Sequence, residues 1–192
     1  MGRRSLVGSE MCIRGELESV WSYLANATTS GTFDIPLSRN YTRLASLYCT
    51  FIQEPPEDGV KKLCNEFYVH TGSAETLSMS LQLGTRRLYD NDVTGFAEMW
   101  HRLMGTIGVH GSFSHATGVT FADYSSSSFA IAADCERSPQ LASSGINLSN
   151  TSVVQLKIKG FGTEPAHLPS RAHLVAQFDA VIECRDTTVS IF

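Results

Sequence analysis

Alternation of apolar and polar residues predicts β-strands along most of this chain. Residues 77–83, LSMSLQL, place an apolar side chain at every second position, and residues 152–159 and 173–185 repeat that pattern. A period of two is typical of a strand with one buried face. Runs rich in β-branched and aromatic residues, bounded by turn-forming residues, extend the set. In total about eight short strands are predicted, at 32–36, 44–53, 67–70, 77–83, 128–133, 152–159, 173–185 and 189–192.

The same alternation assigns one face of each strand to the hydrophobic core. A shift of one residue would turn the whole apolar set toward solvent, so the register is strongly specified. Val175 and Val181 are left on the opposite face of the 173–185 strand. Single apolar residues are ordinary on a surface, and the alternative is that this face packs on another domain or subunit. The predicted core residues are Leu47, Cys49, Phe51, Leu81, Phe129, Ile131, Val154, Leu156, Ile158, Leu174, Ala176, Phe178 and Ile182.

One segment breaks the strand pattern and predicts a substantial helix at about 94–107. Its apolar residues recur at helical spacing, with Asp92 or Thr94 as the N-cap and Gly108 as the C-terminal stop. We expect its apolar face to pack on a sheet edge or on the end of a sandwich. The residues expected to make this contact are Phe96, Met99, Trp100, Leu103 and Ile107.

Three further segments show weaker patterns. Four apolar residues between 16 and 25 lie at helical spacing, which predicts a short helix or linker at 16–29. The Gly-, Ser- and Thr-rich stretch 108–128 is predicted to be a long loop with one short strand. Residues 1–15 match neither a signal peptide nor a helix, and we expect a non-native or disordered N-terminal segment there.

The predicted strands do not alternate with helices, which favours an antiparallel sandwich or barrel over a parallel α/β sheet. The length of 192 residues is that of one domain, or of two small ones. A hydrophobic fraction of 42% and a formal net charge of −4 exclude intrinsic disorder. The same charge gives no electrostatic reason to expect nucleic-acid or anionic-membrane binding. No apolar run reaches about 18 residues, so no membrane-spanning helix is predicted.

The cysteines are odd in number and widely spaced, and no Cys-x-x-Cys pair occurs. This pattern suggests neither a zinc site nor a redox motif. We therefore predict reduced thiols in an intracellular fold. Cys49 and Cys184 lie within apolar runs, where a free cysteine acts as a small core residue. The full set is Cys12, Cys49, Cys64, Cys135 and Cys184.

No group of residues in the sequence predicts catalysis. His110 and His115 lie in a Gly/Ser-rich loop without the further ligands that zinc requires. The acidic residues of 54–58 lie in a proline-rich loop, which does not hold two carboxylates at the separation that hydrolysis needs. The segment 105–111 lacks the Lys-Ser/Thr of a phosphate loop, and 125–128 lacks a histidine that would activate a serine. We therefore predict no catalytic residue, no metal site and no cofactor.

Two segments carry a family resemblance. Residues 128–150, SFAIAADCERSPQLASSGINLSN, and residues 177–192, QFDAVIECRDTTVSIF, resemble the C-terminal jelly roll of double jelly-roll major capsid proteins. Such proteins occur in nucleocytoplasmic large DNA viruses, virophages and the polinton–adintovirus group. The resemblance implies an all-β, antiparallel, eight-stranded jelly-roll sandwich over residues 30–192, with the helix at about 94–107 inserted in it. It also implies that an N-terminal jelly roll belongs before this chain.

The resemblance implies a structural protein and not an enzyme. The expected role is to assemble as trimeric capsomers of an icosahedral DNA virus or virus-like element, inside the host cell, and to remain in the virion. The expected partners are copies of the chain and neighbouring capsid proteins. Specific nucleic acid, a membrane span and a small-molecule substrate are not expected.

Two alternatives remain on the sequence alone. A lectin-like jelly-roll module would be favoured by Asp, Asn and aromatic residues clustered in loops. The loops 54–59 and 110–124 are poor in these residues apart from Phe113, Phe121 and Tyr124. A cupin-type enzyme would need His and Glu grouped on facing strands, and the sequence suggests no such group.

Overall fold

A computed structural model describes residues 13–26, 32–37, 43–52, 76–109, 117–136, 145–148, 153–161, 169–185 and 188–191. Ten strands in these residues form two five-stranded sheets. The first sheet contains β1 (Ile13–Asn26), β3 (Arg43–Ile52), β7 (Ala130–Asp134), β9 (Arg171–Arg185) and β10 (Thr188–Ile191). The second contains β2 (Phe33–Leu37), β4 (Ser78–Leu83), β5 (Arg86–Arg87), β6 (Val93–Thr94) and β8 (Val154–Lys159). The helices are α1 (Gly95–Thr106) and α2 (Phe121–Ser126).

The strand order is that of a jelly roll. The first sheet runs β1-β9-β3-β7, with β10 also beside β9, and the second runs β2-β8-β4-β5, with β6 also beside β4. Every pair of neighbouring strands is antiparallel. Successive long strands alternate between the two sheets, so the chain winds around the core instead of completing one sheet before the next. The predicted all-β antiparallel jelly-roll sandwich is therefore confirmed.

The predicted strands match the observed ones wherever the structure describes them. The strand predicted at 67–70 lies outside the described residues. The short strands β5 and β6 were not predicted, because two residues cannot show a period. Both strands form by antiparallel pairing with β4.

The core lies between the two sheets and consists of the predicted residues. All of those whose side chains are described are buried, with Phe178 the most exposed at 7%. Ile182 lies in β9, and its side chain is outside the described set. Phe51 lies at the centre of an aromatic cluster, with its ring centroid 4.8 Å from that of Phe161 and 5.7 Å from those of Phe33 and Phe129. Alternation thus correctly assigned the buried face.

The helix predicted at 16–29 is wrong for residues 16–26. These residues belong to β1, which pairs with β9 along its whole length, from Ile13 opposite Cys184 to Asn26 opposite Arg171. A helix of about ten residues is marginal by itself, whereas β9 provides backbone partners along the whole strand. Residues 13–15 of the segment predicted to be non-native or disordered lie in the same strand, and residues 1–12 lie outside the described ones.

Helix α1 confirms the helix predicted at 94–107. Thr94 is the N-cap residue of the helix, and the Thr94 backbone N–H donates to Glu98 Oε2 at 3.2 Å. Gly108 follows the helix with a φ of 80°, and its N–H donates to the Gly105 carbonyl at 3.0 Å. The helix packs against β7, the edge strand of the first sheet. A helix over a sheet edge hinders pairing of that edge with another chain.

The apolar face of α1 contacts the core to different depths. Met99 and Met104 are buried, whereas Phe96, Trp100 and Leu103 pack on the core with part of their surface exposed. Ile107 is likewise half-buried. The predicted packing on a sheet edge is confirmed.

The described part of the predicted 108–128 loop contains helix α2 instead of a strand. Thr120 and Asp123 form a capping box: the Thr120 hydroxyl accepts from the Asp123 N–H at 3.2 Å, and Asp123 Oδ2 accepts from the Thr120 N–H at 3.2 Å. Tyr124 is fully buried, and its hydroxyl donates to the Ala130 carbonyl at 2.8 Å. The Thr-x-x-Asp spacing was a visible signal for a helix start. The Ser/Thr-rich composition obscured it.

Candidate interaction surface

Two histidines lie in the described part of the fold. His101 is exposed on α1, and His173 is half-buried on β9. Within the described residues, no three His, Cys, Asp or Glu side chains are close enough to hold a metal ion. His110, His115 and the acidic residues of 54–58 lie outside the described part. The absence of catalytic, metal and cofactor residues therefore stays a prediction.

Two cysteines are buried core residues. Cys49 and Cys135 are free thiols with about 1% of their surface exposed. Burial raises the pKa of Cys49 far above its usual range. Burial, with a smaller contribution from the Asp134 carboxylate, raises the pKa of Cys135 to about 12. Because the thiolate is the nucleophile, both thiols are held in their unreactive form.

The outward face of the first sheet has charged residues toward both ends of β3, where Arg43 lies opposite Asp179 and Ile52 lies opposite Arg171, and it has uncharged residues between them. Its residues alternate along β3 and β9 with the buried core residues, and opposite positions on the two strands are Tyr48 with Val175 and Thr50 with His173. These four side chains are half-buried. Beside them, the Ser46 hydroxyl donates to Gln177 Oε1 at 2.8 Å. We call this surface the first-sheet face; its residues are Ser46, Tyr48, Thr50, Ile52, His173, Val175 and Gln177.

The outward face of the second sheet has a different character. Lys157 and Asp34 form an ion pair across β8 and β2, with 3.9 Å between Nζ and Oδ2. Gln155 Nε2 donates to Asp34 Oδ1 at 2.5 Å. Lys159 is exposed at the end of the same strand. The outward face of the second sheet therefore carries charged side chains that water can solvate.

An aromatic corner lies where α1 meets α2. The Trp100 ring is 4.9 Å from Tyr124 and 6.0 Å from Phe121, centroid to centroid. Phe121 is 46% exposed and Val119 is 38% exposed. The corner therefore connects the buried core with a small exposed apolar patch.

A polar cleft of about 360 Å³ lies between the segment after β5 and helix α1. The Arg102 guanidinium lies over the Tyr89 ring, 4.4 Å from its centroid, and its Nη2 is 3.4 Å from Glu98 Oε1. Burial raises the pKa of Tyr89 to about 12. Asp90 and Asn91 complete the polar lining. Residues 89–91 thus combine an aromatic ring with Asp and Asn, the loop composition that would favour a lectin-like module.

These observations define the described part of the chain as a jelly-roll sandwich. Solved structures of the same fold are capsid proteins. One is PBCV-1 VP54, in a crystal structure fitted into a cryo-EM reconstruction of the virophage Sputnik, with a TM-score of 0.58 and 10% identity. Another is a quasi-atomic model of the PBCV-1 virus capsid, with a TM-score of 0.56 and 11% identity.

Both comparisons cover 95% of this chain and 52% of the other chain. The chain thus spans about half the length of these capsid-protein chains. Its fold is that of half of VP54, a double jelly-roll major capsid protein, as the resemblance in the sequence predicted. No protein-family model and no curated protein matches the sequence.

Proposed function

We propose that this chain is a structural capsid protein of an icosahedral DNA virus or virus-like element. The observation that carries the proposal is the fold shared with PBCV-1 capsid chains over 95% of the chain. The chain acts by burying surface against copies of itself in trimeric capsomers and against neighbouring capsid proteins. It assembles inside the host cell and works in the virion, without catalysing a reaction.

The described architecture suits a shell subunit. Two sheets that interdigitate across a core of buried aliphatic and aromatic side chains form a rigid block. One sheet edge is covered by α1, which limits uncontrolled strand pairing. Within the described residues, no helix is long and apolar enough to cross a membrane.

The proposal includes a second jelly roll. The matched capsid chains are about twice as long as this one, since it covers 52% of each of them. A jelly roll placed before this one supplies the remaining contacts of the capsomer. Without it, the chain is expected to be poorly soluble, because surface intended for that neighbour stays in water.

Size-exclusion chromatography with light scattering tests this role. The purified chain is measured alone and fused to an N-terminal jelly roll, and the particles are viewed by negative-stain electron microscopy. Trimers with pseudo-hexagonal outlines are expected for the fusion, and poorly soluble aggregates for the chain alone. A soluble monomer in both forms contradicts the proposal.

A lectin-like module is the second candidate, and the polar cleft is the observation that favours it. Tyr89, Asp90 and Asn91 combine an aromatic ring with groups that bond sugar hydroxyls. However, Arg102 covers one face of the Tyr89 ring, so that face cannot stack on a sugar. Titration calorimetry with simple sugars distinguishes the two roles: a monomer that binds a sugar supports the lectin-like module.

A further inference from the structure

We draw no further inference here: the strongest candidate, the polar cleft between the segment after β5 and helix α1 that is lined by Tyr89, Asp90, Asn91, Glu98 and Arg102, belongs to the site already described for the lectin-like alternative, and no contact within the described residues identifies another ligand for it.

Discussion

Replacement of Phe51 by alanine tests the aromatic core directly. The ring is 1% exposed and contacts the rings of Phe33, Phe129 and Phe161 at centroid distances of 5.7, 5.7 and 4.8 Å. Removing a fully buried phenylalanine ring costs about 3–5 kcal/mol through lost transfer energy and the cavity that remains. For a domain of this size, about 2–4 °C of melting temperature is lost per kcal/mol, which predicts a fall of roughly 6–20 °C.

Phe121→Ala is the matched control, because it makes the same chemical change at a ring that is 46% exposed. About half of the burial energy of a phenylalanine is at stake there, so the expected cost is about 1 kcal/mol. Calorimetric melting and urea titration measure both variants. Equal losses for the two variants would refute the placement of Phe51 in the core, and with it the register of β3.

Three further predictions concern local features. Gly160→Ala should destabilise the fold by at least about 2 kcal/mol, because φ is 91° and a β-carbon would collide with a backbone carbonyl beside β4; an unchanged urea midpoint contradicts this. The pKa of the Asp123 carboxyl is lowered by the hydrogen bonds from Thr120, so this contribution to stability is present at neutral pH and is lost as pH falls through the lowered value. In a carbon-detected NMR titration, Thr120→Val should raise that pKa toward its usual value, and no change would exclude the capping box. Cys135 has its pKa raised to about 12, so its contribution to stability should be lost as pH rises from about 9 toward 12. A thiol reagent that modifies Cys49 or Cys135 in the folded protein as fast as in urea would contradict their burial.

The buried face of most strands and the position of α1 could be predicted from the pattern of apolar residues alone. Residues 77–83 and 154–158 alternate strictly, and a one-residue shift would expose Leu81, Leu156 and Ile158 together. Helix α1 has three turns of apolar spacing and a glycine stop, so local interactions agree with its packing. A segment can be predicted from the sequence when its local pattern of apolar residues favours the same structure as its packing in the fold.

Features that depend on a partner far away in the sequence could not be predicted and became visible only in the folded chain. The segment 16–26 satisfies a short helical pattern, yet it forms β1 because the long strand β9 pairs with it. Tyr89 and Arg102 form a cleft only because the chain turns back after β5 to begin α1. Tyr48 likewise lies opposite Val175 only because β9 pairs with β3, which is far from it in the sequence. In each case the deciding energy comes from long-range backbone pairing and side-chain packing, and a local sequence pattern contains no information about either.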